Sequence, residues 1–125
     1  MHIDKLLRHA NKERTHDPSS YEDRDTMKIE KVALETIVGR SRPTPAIYLN
    51  GYSGQPRELC FQDAERLAAV LGEETDNWIG KDVHTYPCHR DYEGDESTTV
   101  GAVSVRAFHP DYYRDPGAYA EPIGF

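Results

Sequence analysis

Apolar residues first recur at helical spacing: Ile3, Leu6, Leu7 and Ala10 fall at i, i+3, i+4 and i+7. This predicts a short helix over residues 3–14, followed by the polar stretch THDPSSYEDRD. The stripe is thin, so residues 1–26 read as an N-terminal arm, a helix then a linker, mobile or loosely docked. A partner-binding helix is the alternative reading.

From residue 27 the pattern changes to alternation. Met27 and Ile29 share one parity, Val32 and Leu34 the other, and the switch falls at Lys31–Val32. A strand that changes its buried face midway needs a bulge or a sharp coil, as strands curving round a small barrel do. RSRPTP reads as a loop, AIYLNG as a second strand, YSGQP as a hairpin connection and RELCF as a third strand.

The period then returns to 3.6. Ala64, Leu67, Ala68 and Leu71 make one apolar stripe, with Gln62 or Asp63 as the starting cap and Gly72 just past the end. DVHTYPCH is the fourth strand, and Pro87, which lacks a donor, puts it at an edge or a bulge there. After the acidic turn RDYEGDEST, TVGAVSVRAF is the fifth strand, with Val103, Val105 and Ala107 on one face. Residues 109–125 hold three prolines, two glycines and no periodicity, and read as an extended tail.

The order β-β-β-α-β-β predicts a mainly β fold, a five-stranded OB-like barrel over residues 27–108 with its helix between strands 3 and 4. A small α+β sandwich is the competing fold. In the barrel reading Trp78, the single tryptophan, stoppers one end with Ile79 beside it, and Gly80 turns the chain tightly into strand 4. Base stacking by Trp78 is the alternative.

Composition narrows the function classes. The chain has 125 residues, a net charge of -7 and a mean hydropathy of -0.78. The balance is -1 over residues 1–26, +2 over 27–62 and -8 over 63–125. That excludes a uniformly basic nucleic-acid binder and leaves room for a local basic face. No apolar run reaches the ~20 residues of a membrane helix, and the start lacks a secretion-signal pattern, so a soluble, cytoplasmic protein is expected. Cys60 and Cys88 are too few for a disulfide framework and read as buried thiols in strands, a Cys60–Cys88 bridge being unusual in a reducing compartment.

Stacking aromatics and phosphate-binding cations would sit on the face of strands 2 and 3 and the loop before them. The candidates are Arg40, Arg42, Tyr48, Tyr52, Arg57, Phe61 and Lys81. Asp91, Glu93, Asp95 and Glu96 lie in the loop between strands 4 and 5, where they repel phosphate and instead suit a protein partner. His84, Cys88, His89 and Cys60 carry zinc-ligand chemistry, but there is no C-x-x-C pair, and no metal or cofactor is expected. No nucleophile motif, P-loop or H-E-x-x-H occurs, so the expectation is a non-enzyme.

The stretch DAERLAAVLGEETDNWIGKDVHTYP, with VSVRAF after it, resembles a family of small phage and prophage proteins. In that family a Leu-Asn-Lys-Thr-Asn box leads into an Ala/Leu-rich helix, then a Gly, an acidic linker and Trp-Ile-Gly-Lys, and a last strand reading like Ile-Arg-Val-Arg. Here these are residues 63–71, Gly72, Trp78-Ile79-Gly80-Lys81 and Val103-Ser104-Val105-Arg106, while the polar box reads Leu59-Cys60-Phe61-Gln62-Asp63 and lacks its basic and amide residues. The resemblance covers roughly residues 27–108 and is specific over 64–83. It implies phage origin and a link to replication or recombination. The barrel order, the tail and the charge balance make single-stranded DNA and a host or phage replication, recombination or defence protein the expected partners. The end AEPIGF is similar to the C-terminal tip of bacterial single-stranded-DNA-binding proteins, which makes Ile123 and Phe125 partner-binding candidates. The second function class is an acidic interaction module or inhibitor that mimics nucleic-acid charge.

Overall fold

The structure is a computed structural model and describes residues 1–13, 24–36, 42–52, 54–87 and 101–115. It is mainly β, with five strands and two α-helices. Strand β1 is Asp25–Glu35, β2 Thr44–Leu49, β3 Pro56–Glu58, β4 Asp82–Pro87 and β5 Gly101–Ala107. Helix α1 is Ile3–His9 and α2 is Phe61–Leu71.

Strand β1 serves two neighbours in turn. Its first half pairs antiparallel with β4 from Asp25↔Thr85 to Lys28↔Asp82. Its second half pairs antiparallel with β2 from Ile29↔Leu49 to Glu35↔Thr44. The register shifts between Ile29 and Lys31. This is the change of face expected from the switch of parity, and Glu30 is the extra residue. Outside the ladder, Gly80 N–H donates to the Ile29 carbonyl at 2.7 Å, and Ile29 N–H donates to the Lys81 carbonyl at 3.0 Å. Gly80 has φ +82, the left-handed conformation that a glycine adopts without strain. The tight turn into β4 thus also satisfies the backbone of β1 at its bend.

The remaining pairings are β2 with β3, β4 with β5, and a parallel contact between β3 and β5 at Arg57↔Gly101 and Glu58↔Ala102. That parallel seam is two residue pairs long. Beyond it, Asp63 of α2 takes over: its buried carboxylate accepts the Val105 N–H at 3.1 Å. The expectation of Gln62 or Asp63 as helix cap is corrected here. Cys60 is the N-cap, with no side-chain cap bond, and Asp63 is spent on β5.

The core is built from alternate residues of the strands, Ile29, Ile47, Leu49, Val83, Val103 and Val105, with Leu59 just after β3 and one stripe of α2, Ala64 and Leu67. Trp78 joins them with no exposed surface. It closes the 3-10 turn Thr75–Trp78, and its indole Nε1 donates to the Gly72 carbonyl at 2.9 Å. Ile79 does not share that burial; it is 46% exposed. Ile79 is the C-cap of the 3-10 turn, with extended backbone.

Several expectations at the edges are corrected. Helix α1 ends at His9 rather than residue 14, because the apolar stripe runs out and Ala10 is extended. Residues 1–13 of the arm are not loosely docked. Ile3 and Leu6 are core residues, Ile3 N–H donates to the Glu73 carbonyl at 2.7 Å, and Phe61 N–H donates to the Asn11 carbonyl at 3.2 Å. The chain before α1 therefore binds the segment after α2, and the chain after α1 caps the start of α2. Strand β2 begins at Thr44, inside the stretch read as loop. Phe61 opens α2 instead of ending strand 3, and Cys60 is a buried thiol at the helix cap. The start of the tail is not extended. Pro110–Tyr113 forms a 3-10 turn that stacks Tyr112 on Phe108, with ring centroids 4.0 Å apart. Among the described residues no helix is long and apolar enough to cross a membrane.

Candidate nucleic-acid interface

Ile47 and Leu49 enter the core, so Tyr48 between them faces outward. Its cross-strand partners are Lys31 on β1 and Pro56 on β3. Directly opposed residues share a face of the sheet. Lys31, Tyr48 and Pro56 therefore form one row across three strands, half-buried at Tyr48 and exposed at Lys31. The Lys31 ammonium lies 5.1 Å from the Tyr48 ring centroid.

Glu35 completes this row. Tyr48 Oη donates to Glu35 Oε1 at 2.7 Å, and Lys31 Nζ stands 3.9 Å from the same oxygen. The bond to Glu35, then burial and the Glu35 charge, push the Tyr48 phenol up to about 12. The bond to Glu35 fixes where the hydroxyl end of the Tyr48 side chain lies. Arg42, exposed and two residues before Thr44, stands at the end of β2 where Glu35 pairs.

The other predicted residues go elsewhere. Arg57 pairs with Ile47 and so has the inner parity; its guanidinium stacks on Tyr52 at 3.9 Å, and Tyr52 packs against the core. Phe61 meets Lys12, 5.2 Å from its ring, beside α1. Lys81 lies 5.9 Å from the Tyr113 ring. There, Asp82 accepts from Lys28 Nζ at 2.7 Å and from Tyr112 Oη at 2.8 Å. Burial pushes the Asp82 carboxyl up, but these two bonds outweigh it and hold the group below its ordinary value. Arg40, Asp91, Glu93, Asp95, Glu96, Ile123 and Phe125 lie outside the described residues, as do Cys88 and His89. Among the described residues no group of His, Cys, Asp or Glu is placed to hold a metal ion.

Lys31 and Glu35 were missed in the sequence. Their signal was present but indirect: Lys31 sits at the switch of parity, and its partner follows only once the register across the bulge is known.

Comparison with known proteins finds no matching family model, no similar curated protein and no similar solved structure.

Proposed function

We propose that this chain is an OB-like barrel of phage origin that acts as a non-enzymatic binding module. It holds single-stranded DNA on the outer row of β1, β2 and β3 and recruits replication or recombination proteins. The strand order β1-β2-β3-β5-β4, with α2 between β3 and β4, supports the barrel reading. One observation carries the functional reading: an outward tyrosine ring with a lysine over it, on the strands that bind oligonucleotides in OB-folds. Tyr48 supplies a stacking surface, and Lys31 and Arg42 supply phosphate contacts.

A fluorescence-polarisation titration with labelled oligothymidylate of about 15 nucleotides at about 50 mM salt tests this. Micromolar binding that weakens about fivefold or more in Tyr48→Ala and Lys31→Ala is the expected result. No binding at that salt, or binding untouched by either change, overturns it.

A second reading is favoured by Glu35. A carboxylate bonded to Tyr48 and beside Lys31 makes the row less cationic than a strand-binding groove. In that reading the chain is an acidic interaction module or inhibitor acting on a host or defence protein, through residues 91–96. It predicts a stable protein partner lost when Asp91, Glu93, Asp95 and Glu96 are neutralised.

A further inference from the structure

The structure brings Phe61 to a place the sequence did not suggest. Helices α1 and α2 meet in an open groove of about 400 Å³ lined by Asp4, Leu7, Arg8, Lys12 and Phe61. Leu7 and Phe61 form its apolar floor and are half-buried; Arg8, Lys12 and Asp4 are exposed at the rim. The groove exists because Asn11 caps α2 through Phe61 N–H, which sets the first ring of α2 against the last turn of α1.

The charges at this rim are unequal in their freedom. Asp4 Oδ2 stands 3.6 Å from His2 Nδ1. Among the described residues, neither Arg8 nor Lys12 has a carboxylate within ion-pair distance, and Lys12 rests over the Phe61 ring. On a protein of net charge -7, two cations with no carboxylate partner among the described residues, beside one aromatic floor, select an anion that also carries a flat apolar ring.

We propose that this groove is a nucleotide subsite, separate from the outer row of β1–β3. A base stacks on Phe61 against Leu7, and the 5′-phosphate takes Arg8 and Lys12, the Lys12 ammonium moving from ring to phosphate. Size favours this occupant over an acidic helical peptide. The floor is two side chains wide, whereas a docked helix needs anchors recurring over two turns or more. The volume is of the order that holds one small ligand.

The test uses the full chain and amide chemical-shift mapping with three probes: adenosine 5′-monophosphate, adenosine and inorganic phosphate. The expected result is perturbation of amides in residues 4–12 and 61–64 by the nucleotide, at least about fivefold tighter than by either fragment. Arg8→Gln with Lys12→Gln, and separately Phe61→Leu, weaken nucleotide binding about fivefold or more while the rest of the spectrum is retained. Tyr48→Ala leaves it unchanged, so this site and the strand face succeed or fail separately. A nucleotide that perturbs these amides no more than phosphate alone, or binding indifferent to Arg8 and Lys12, overturns the proposal. So does an acidic peptide that occupies the groove more tightly than the nucleotide. A pentanucleotide arm distinguishes a free nucleotide from one unit of a strand. Stronger binding of the pentanucleotide, still lost in Phe61→Leu, assigns the groove to a strand; equal or weaker binding assigns it to the free nucleotide.

Discussion

The indole Nε1 of Trp78 donates to the carbonyl of Gly72 at 2.9 Å. Gly72 has φ +104 and ends α2, so one bond ties the helix end to the residue that leads into the Gly80 turn. The linker between them is held from the other side, where Thr75 N–H and Thr75 Oγ1 both donate to the Met1 carbonyl. The tryptophan is thus a structural anchor, fully buried in the core.

Trp78→Ala is expected to cost about 3–5 kcal/mol, the range for emptying a large buried ring. Trp78→Phe keeps most of the volume and loses the bond, for about 1–3 kcal/mol. Urea unfolding measures both. Because Trp78 is the only tryptophan, its emission in the wild type should shift to the red on unfolding. A Trp78→Phe variant as stable as wild type contradicts the anchor.

Asp63 replaces a strand partner, and its loss leaves the buried Val105 N–H without its acceptor. Asp63→Ala is expected to destabilise by about 1–3 kcal/mol, and Asp63→Asn, which keeps an acceptor oxygen, by less. Hydrogen exchange at the Val105 amide should accelerate in the alanine variant and stay slow in the asparagine one.

Gly80 tests the turn at the bulge of β1. A Cβ there meets nothing within 4 Å, so the cost of Gly80→Ala is conformational alone. It should be about 1–2 kcal/mol. Gly80→Asn should cost less, since asparagine tolerates the left-handed region. Equal losses for both variants in thermal unfolding contradict this cause.

Tyr48 predicts an alkaline effect. Its folded value, about 12, is above the 10.0 of the free phenol. The unfolded chain therefore releases this proton first, so the stabilisation is complete below about pH 10 and is lost as pH rises toward 12. Ultraviolet titration should show a late-ionising tyrosine that disappears in Tyr48→Phe and moves toward 10 in Glu35→Gln. Tyr113, pushed up to about 12 mainly by burial, provides a second late phenol that Glu35→Gln leaves in place.

Much of the fold was legible where a local pattern decided it. The change of parity in β1 and the stripe of α2 both follow from the spacing of apolar side chains, and both are present. The misreadings fall where distant contacts decide. RELCF reads as strand, yet Pro45 takes Leu59 N–H and Asn11 takes Phe61 N–H, so the chain turns into α2 after Cys60. The stripe of Ile3 and Leu6 shows that α1 has a face to bury, but where it docks is set with backbone bonds from Ile3 to Glu73 and from Thr75 to Met1, which no side-chain pattern announces. The turn at Pro110–Tyr113 is held by Asp82, which receives Tyr112 Oη on its carboxylate and Tyr113 Oη on its carbonyl. Of the predicted site, Tyr48 stays on the outer face and Arg42 is exposed before β2, while Arg57 takes the inner parity through the pairing of β3.

The proposed interface places a bound single strand against Tyr48. Photocrosslinking of an oligonucleotide carrying 5-iododeoxyuridine, followed by mass-spectrometric mapping of the adduct, reads this in one step. An adduct at Tyr48 that is lost in Tyr48→Ala and suppressed by added salt is the predicted result. No adduct, or adducts only at residues away from the β1–β2–β3 face, contradicts it.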